Sequence, residues 1–236
     1  MKSEQILEAE QIFVVPVMVA GGSSVDIEVI SEKGPFRAHS LIMTEADARN
    51  FLITDIKVGR NSQFLAPGAV PASFFARRGM IDKLLFDKLP RGMKMSVCAT
   101  NMDVDPKTFV ATLIGMLDDD GPLGSYPNVE TCPYDRIVLG LGHTIVPANS
   151  TSKITVQPQV VCKTDHLVIP TEVLDGMRVK SVRARGEDVL LAELKDGEAD
   201  LKGSLLHIAD WFCVEVANLT DKPKAFYGAV GGRLVR

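Results

Sequence analysis

Two stretches of this chain repeat each other, and the repetition limits the possible folds more than any other feature of the sequence. From Leu41 the chain matches itself at a shift of 126 residues. Leu41, Ile42, Met43, Phe51, Ile53, Ile56, Val58, Phe64, Leu65 and Ala66 fall without a gap on Leu167, Val168, Ile169, Met177, Val179, Val182, Ala184, Leu190, Leu191 and Ala192. Every partner is apolar, and the positions between them are mostly polar in both copies. A second block matches at a shift of 117, where Val97, Asn101, Pro106, Lys107, Phe109 and Gly115 meet identical residues at Val214, Asn218, Pro223, Lys224, Phe226 and Gly232. The first copy therefore carries nine additional residues between the blocks. Upstream, Val25-Asp-Ile27-Glu-Val29 is similar to Ser152-Lys-Ile154-Thr-Val156 at a shift of 127, each after a turn of small residues. Alternating strands align easily by chance, so the upstream match is weak by itself. Two ordered blocks sharing Asn-x4-Pro-Lys-x-Phe indicate a duplicated structural unit.

The unit reads as β. Residues 12–19, 25–30, 36–43 and 51–58 are short, rich in β-branched and aromatic side chains, and separated by Gly, Pro, Ser and Asn turns. Residues 93–101 and 107–116 form a hairpin-like pair in which Pro106, like Pro223, stands where a strand begins, a strand position that tolerates a missing N–H. Thr44-Glu-Ala-Asp47 offers an N-cap and an acidic first turn for a brief helix. Residues 70–89 have the composition of one or two short helices broken at Gly79, and residues 196–208 of a shorter counterpart. Six to eight strands in roughly 105 residues describe a jelly roll or β-sandwich. The expected fold is all-β: an N-terminal segment 1–11, a first jelly-roll repeat 12–117, a charged Pro/Gly-rich linker 118–136 and a second repeat 137–236.

Composition narrows the function. A chain of 236 residues with net charge −4 and scattered basic residues has no surface suited to specific nucleic-acid binding. The N-terminus lacks the apolar stretch of a secretory signal, and no apolar run is long enough to span a membrane. A soluble protein made in a cytosol is expected. Cys98, Cys132, Cys162 and Cys213 form no CxxC pair and read as buried free thiols.

Tandem jelly rolls include two-domain cupin enzymes, so metal ligands were sought. His39, His143, His166 and His207 contain no HxH or HxxxH spacing, so a metal would need ligands converging from distant positions. There is no GxSxG elbow, and the glycine-rich pieces lack a P-loop Lys-Ser/Thr. Asp118-Asp-Asp120 lacks the alternating ligands of an EF-hand. No catalytic, cofactor-binding or metal-binding residue is assigned, and no cofactor is expected. One segment stands out. Phe74, Phe75, Ile81, Leu84, Leu85 and Phe86 make the region of the additional residues unusually apolar for a connection. It either folds back over an open sheet edge or barrel end or forms a subunit contact.

The phrases 51–63 (Phe-Leu-Ile-Thr-Asp-Ile-Lys-Val-Gly-Arg-Asn-Ser-Gln), 167–170 (Leu-Val-Ile-Pro) and 218–228 (Asn-Leu-Thr-Asp-Lys-Pro-Lys-Ala-Phe-Tyr-Gly) resemble virion proteins of tailless, often membrane-containing bacterial viruses. The resemblance extends in architecture over residues 12–235. It implies a double jelly-roll major capsid protein, three chains of which form a pseudo-hexagonal capsomer of six barrels. It also implies a location in the virion capsid after synthesis in the host cytoplasm, and self-association as a homotrimer and shell. Other virion proteins or an internal membrane would be further partners, with residues 1–11 a helical candidate for that contact. Two other readings stay open: a two-domain carbohydrate- or receptor-binding protein, and a bicupin-like metalloenzyme. The first calls for exposed aromatics, whereas Trp211 lies in an apolar strand-like run and is expected in the core.

Overall fold

The computed structural model describes residues 10–64, 68–76, 84, 86–117, 136–190, 194 and 197–235. Ile81, Leu85 and Cys132 lie outside them, as do nearly all of the expected linker and of the N-terminal segment. The chain divides into two compact units, Met1–Gln63 with Phe75–Asp135, and Phe64–Phe74 with Arg136–Arg236.

The first unit contains β1 (Glu10–Val19), β2 (Ser24–Ile30), β3 (Phe36–Ile42), α1 (Glu45–Ala48), β4 (Phe51–Val58), β5 (Asn61–Ser62), β7 (Lys94–Asn101) and β8 (Lys107–Leu117). One sheet has the order β1-β8-β3 and the other β2-β7-β4-β5. All pairs are antiparallel, and strands joined by short turns (β1 and β2, β7 and β8) lie in opposite sheets. Alternate residues of each strand then face the space between the sheets. Phe36, Leu41, Ile53, Ile56, Phe109 and Leu113 fill it. Phe51 meets Phe109 edge-on at 5.0 Å between ring centroids. Thr44 caps α1 as expected, its Oγ1 accepting from the Asp47 N–H at 3.2 Å.

The second unit contains β6 (Val70–Pro71), β9 (Arg136–Val146), β10 (Thr151–Val156), β11 (Cys162–Val168), α2 (Thr171–Leu174), β12 (Met177–Ala184), β13 (Glu187–Asp188), β14 (Glu198–Asp200), β15 (Leu205–Leu206), β16 (Phe212–Asn218) and β17 (Lys224–Leu234). Its sheets run β14-β11-β17-β9 and β10-β16-β12-β13, with β15 also on β11. Numbered from β9 with β16 and β17 as seventh and eighth, these orders are 6-3-8-1 and 2-7-4-5, the arrangement of a jelly roll. The first unit repeats it. Phe36 and Leu89 exchange backbone hydrogen bonds (2.8 and 2.7 Å), as Cys162 pairs with Leu206, and the Leu84 N–H donates to the His39 carbonyl as the Leu201 N–H does to that of Asp165.

The duplication extends to irregularities. The β3–β8 ladder shifts register between Ala38 and Ser40, and β11–β17 between Thr164 and His166, positions 126 apart. The β4–β7 and β12–β16 ladders shift at Ile53/Asp55 and Val179/Ser181, again 126 apart. A bulge on β9, where Gly142 takes φ 74°, occurs in the second unit beside Tyr227/Ala229. It inserts one residue relative to β1, which accounts for the upstream shift of 127.

The identical valines, asparagines, phenylalanines and glycines of the 117-shift block have a structural cause. Val97 and Val214 are buried core positions, and Phe109 and Phe226 are fully enclosed. Asn101 Nδ2 donates to the carbonyls of Val19, Ala20 and Asp105, and its Oδ1 accepts from the Asp103 N–H. Asn218 makes the same four contacts with Val146, Pro147, Lys222 and Thr220. One side chain thus ties together two turns that are distant in sequence, using an amide's two donors and its acceptor. Lys107 pairs with Asp103 at 3.2 Å, and Lys224 with the carboxylate and carbonyl of Asp175. A Cβ on Gly115 would stand 2.2 Å from the Arg37 carbonyl oxygen, and one on Gly232 2.6 Å from that of Lys163. Glycine is needed there because β3 and β11 bulge against these strands.

Three expectations require correction. Residues 198–206 form β14 and β15 rather than a helix, because Ala199, Leu201 and Leu206 complete the sheet against β11. In 70–89 the described residues form β6 and a 3-10 turn at Ala72–Phe75. Trp211 is 53% exposed. In β16 the even positions Phe212, Val214 and Val216 point inward, so the preceding odd position points out.

Candidate functional site

The four described members of the apolar segment are all buried: Phe74, Phe75, Leu84 and Phe86. None of these four presents an exposed side chain in the isolated chain. The Phe75 carbonyl accepts the Met43 N–H at 3.3 Å. Leu84 occupies the place that Leu201 holds in the other repeat, and Leu89 that of Leu206. Extending the 117 shift back to these leucines would have identified them as core. It also confines the nine additional residues to the interval between Ala66 and Leu84.

The described part of that interval has a definite role. Gly68 approaches Gly140 so closely that a Cβ on Gly140 would stand 2.3 Å from the Gly68 carbonyl oxygen, and Phe74 lies beside Gly231. Residues 68–74 therefore cover the outer face of β9 and β17 within the second unit. Beneath it, Val138, Gly140, Ala229 and Gly231 are buried although their side chains point away from the core between the sheets.

The histidines do not converge. His39 Nδ1 shares a 3.0 Å hydrogen bond with Ser40 Oγ. His143 stacks on Tyr227 at 6.0 Å, and burial pushes the Tyr227 hydroxyl up to about 12. The His207 N–H donates to Asp210. His166 lies 3.2 Å from Asp200 and 3.7 Å from Glu198, next to Asp165, whose carboxylate receives Arg136 (3.2 Å) and Arg233 (3.4 Å). This is a charge network across one sheet, with cations and anions paired. Among the described residues no three His, Cys, Asp or Glu side chains are grouped to hold a metal ion. An open groove of about 640 Å³ along β12 has aliphatic walls, including Val179, Leu190 and Leu194, with Arg178, Lys180 and Arg183 at its rim.

The described cysteines are free thiols, with Cys98 and Cys162 buried and Cys213 half-buried. Burial pushes Cys98 and Cys162 up to about 11 and raises Cys213 as well. The thiolate is the reactive form, so these groups are inert at neutral pH. In a Cys132→Ser background, the native protein is expected to react with a disulfide reagent at pH 8 at least about 100-fold more slowly than the urea-unfolded chain. Comparable rates would show that the thiols are accessible.

The chain is a duplicated jelly-roll protein, with the second copy's outer sheet covered by an insertion from the first. No protein-family model matches the sequence, and no curated protein matches it. Among solved structures it is similar to the major capsid protein P2 of bacteriophage PM2, with a TM-score of 0.44 and 10% sequence identity over 96% of this chain and 98% of that one. The fold assignment rests on the strand order, the paired bulges and the paired asparagines.

Proposed function

We propose that this chain is a structural virion protein, a capsid subunit that associates as a trimer and tiles into an icosahedral shell. The observation that carries the reading is the faithful duplication of a whole jelly roll, down to its bulges and its buried asparagine. One polypeptide thus holds two similar barrels whose outer surfaces differ. Three such chains supply six similar barrels, which suits a hexagonal tile made from one gene product. Repeating one modest contact many times makes a shell strong collectively. The sequence resemblance to double jelly-roll capsid proteins supports the same reading.

Native mass by mass photometry, followed by negative-stain imaging, tests it. The expected result is a species near three times the 25.6 kDa chain mass, or larger hexagonal particles. A monomer at every concentration and salt would overturn the reading. The exposed Trp211 favours the second reading, a carbohydrate-binding protein, because an exposed indole can stack on a sugar ring. Specific glycan binding by a monomer, lost in Trp211→Ala, would establish that alternative.

A further inference from the structure

The two jelly rolls treat the same sheet face in opposite ways. In the second unit, three strands place Gly140, Ala229 and Val168 in one row across the outer face, and Val138, Gly231 and His166 in the next. Residues 68–74 lie against this face, and Val138, Gly140, Ala229 and Val168 are buried. The corresponding rows of the first unit are Val14, Thr112, Ile42 and Ile12, Ile114, Ser40. Here Ile12 is 61% exposed, Val14 58% and Ile42 36%, and Met18 farther along β1 is 70% exposed, while Thr112 and Ile114 are half-buried and Ser40 at the β3 edge is buried. The counterpart of Ile12, Val138, is only 7% exposed. No side chain in either first-unit row carries a charge.

The residues differ as the covering does. Where the second unit has Gly140, Ala229 and Gly231 beneath a closely approaching backbone, the first has Val14, Thr112 and Ile114. A glycine at 140 removes the Cβ that would collide with Gly68. The first unit has no such relief. Its face is a continuous side-chain surface, suited to contact with another surface. Strands whose outward residues face only solvent normally alternate apolar with polar side chains. Outward Ile12, Val14, Pro16 and Met18 on β1 break that rule, and a contiguous exposed apolar face marks a contact site.

We infer that the outer face of β1, β8 and β3, centred on Ile12, Val14, Ile42 and Ile114, docks a second copy of this chain. This rests on the capsid-subunit reading, which requires self-association, and it assigns the surface. The chain itself indicates the occupant: the equivalent face of the second unit is buried in every copy by residues 68–74 of the same polypeptide, whereas Ile12, Val14 and Ile42 of the first are exposed. The contact is uncharged at its centre and repeats once per chain, as a closed ring of identical subunits requires.

The test uses the full-length chain with Ile12→Lys and Val14→Lys together, and separately with Ile12→Thr and Val14→Thr, which keep β-branched side chains in the strand. Native mass photometry and circular dichroism are run on both beside the wild type. The expected result is a wild-type trimer or larger species, a folded Lys pair at the 25.6 kDa monomer mass, and a Thr pair whose association is weakened at least about tenfold. Wild-type assembly with both variants assembling unchanged would overturn the assigned face and leave the capsid reading standing. A wild type that stays monomeric would overturn both. Should the Lys pair unfold, the Thr pair decides: unchanged association overturns the inference, and weakened association with a native spectrum supports it.

Discussion

Phe226→Ala is expected to destabilise the second unit by about 4 kcal/mol, the cost of removing a fully enclosed aromatic ring from a core that can collapse only partly. Phe226 has no exposed surface and sits in β17, the strand that joins β9 and β11. The cavity would open between the sheets, where Met177, Val214 and Val146 are also buried. Trp211, the chain's single tryptophan, lies in this unit, so its fluorescence reports the transition. With a urea slope of about 2 kcal/mol/M, the midpoint should fall by about 2 M. A fall below about 0.5 M would mean that the ring is not the core element described here.

Asn218→Ala should cost about 3 kcal/mol, because it removes both donors from a buried junction of three carbonyls and the acceptor for the Thr220 N–H. Asn218→Asp should be worse at neutral pH despite its similar shape. A carboxylate brings negative charge against carbonyl oxygens and has no proton to donate. The folded state then holds the new carboxyl above its unfolded value. The additional penalty is present at pH 7 and shrinks as pH falls and the group takes up a proton. Trp211 fluorescence during urea unfolding at pH 7 and pH 4 measures both effects. If the Asp variant were as stable as the Ala variant at pH 7, the donor role of Asn218 would be disproved.

Much of this architecture was legible because duplication exposes structural constraint within a single chain. Positions that must be apolar, such as Ile56 and Val182, are apolar twice, and positions that need one particular residue are identical twice. Asn101 and Asn218 are the clearest example: the match marked them, though only the hydrogen bonds explain them. Strand periodicity located β1 to β4 within a few residues, because alternation follows directly from the pleat. The same rule, applied to β16, would have placed Trp211 outside. Its apolar neighbours point to the core by composition, whereas the parity of β16 points outward.

The apolar segment 74–86 shows where sequence reasoning ends. Its composition identified buried surface somewhere, and it is consistent with a fold-back or a contact between subunits. Choosing between them needs the partner groups, which lie far away in the chain: Gly231 beside Phe74, and Met43 and His39 bonded to Phe75 and Leu84. By itself, the sequence determined the duplication, the β class, the core positions and the location of the nine additional residues, because these follow from local periodicity and self-comparison. The tertiary structure alone decided that residues 68–74 cover the β9–β17 face of the second unit while Ile12, Val14 and Ile42 on the equivalent face of the first are exposed. That asymmetry depends on which backbone can approach which glycine, a distance between residues remote in sequence that no local pattern encodes.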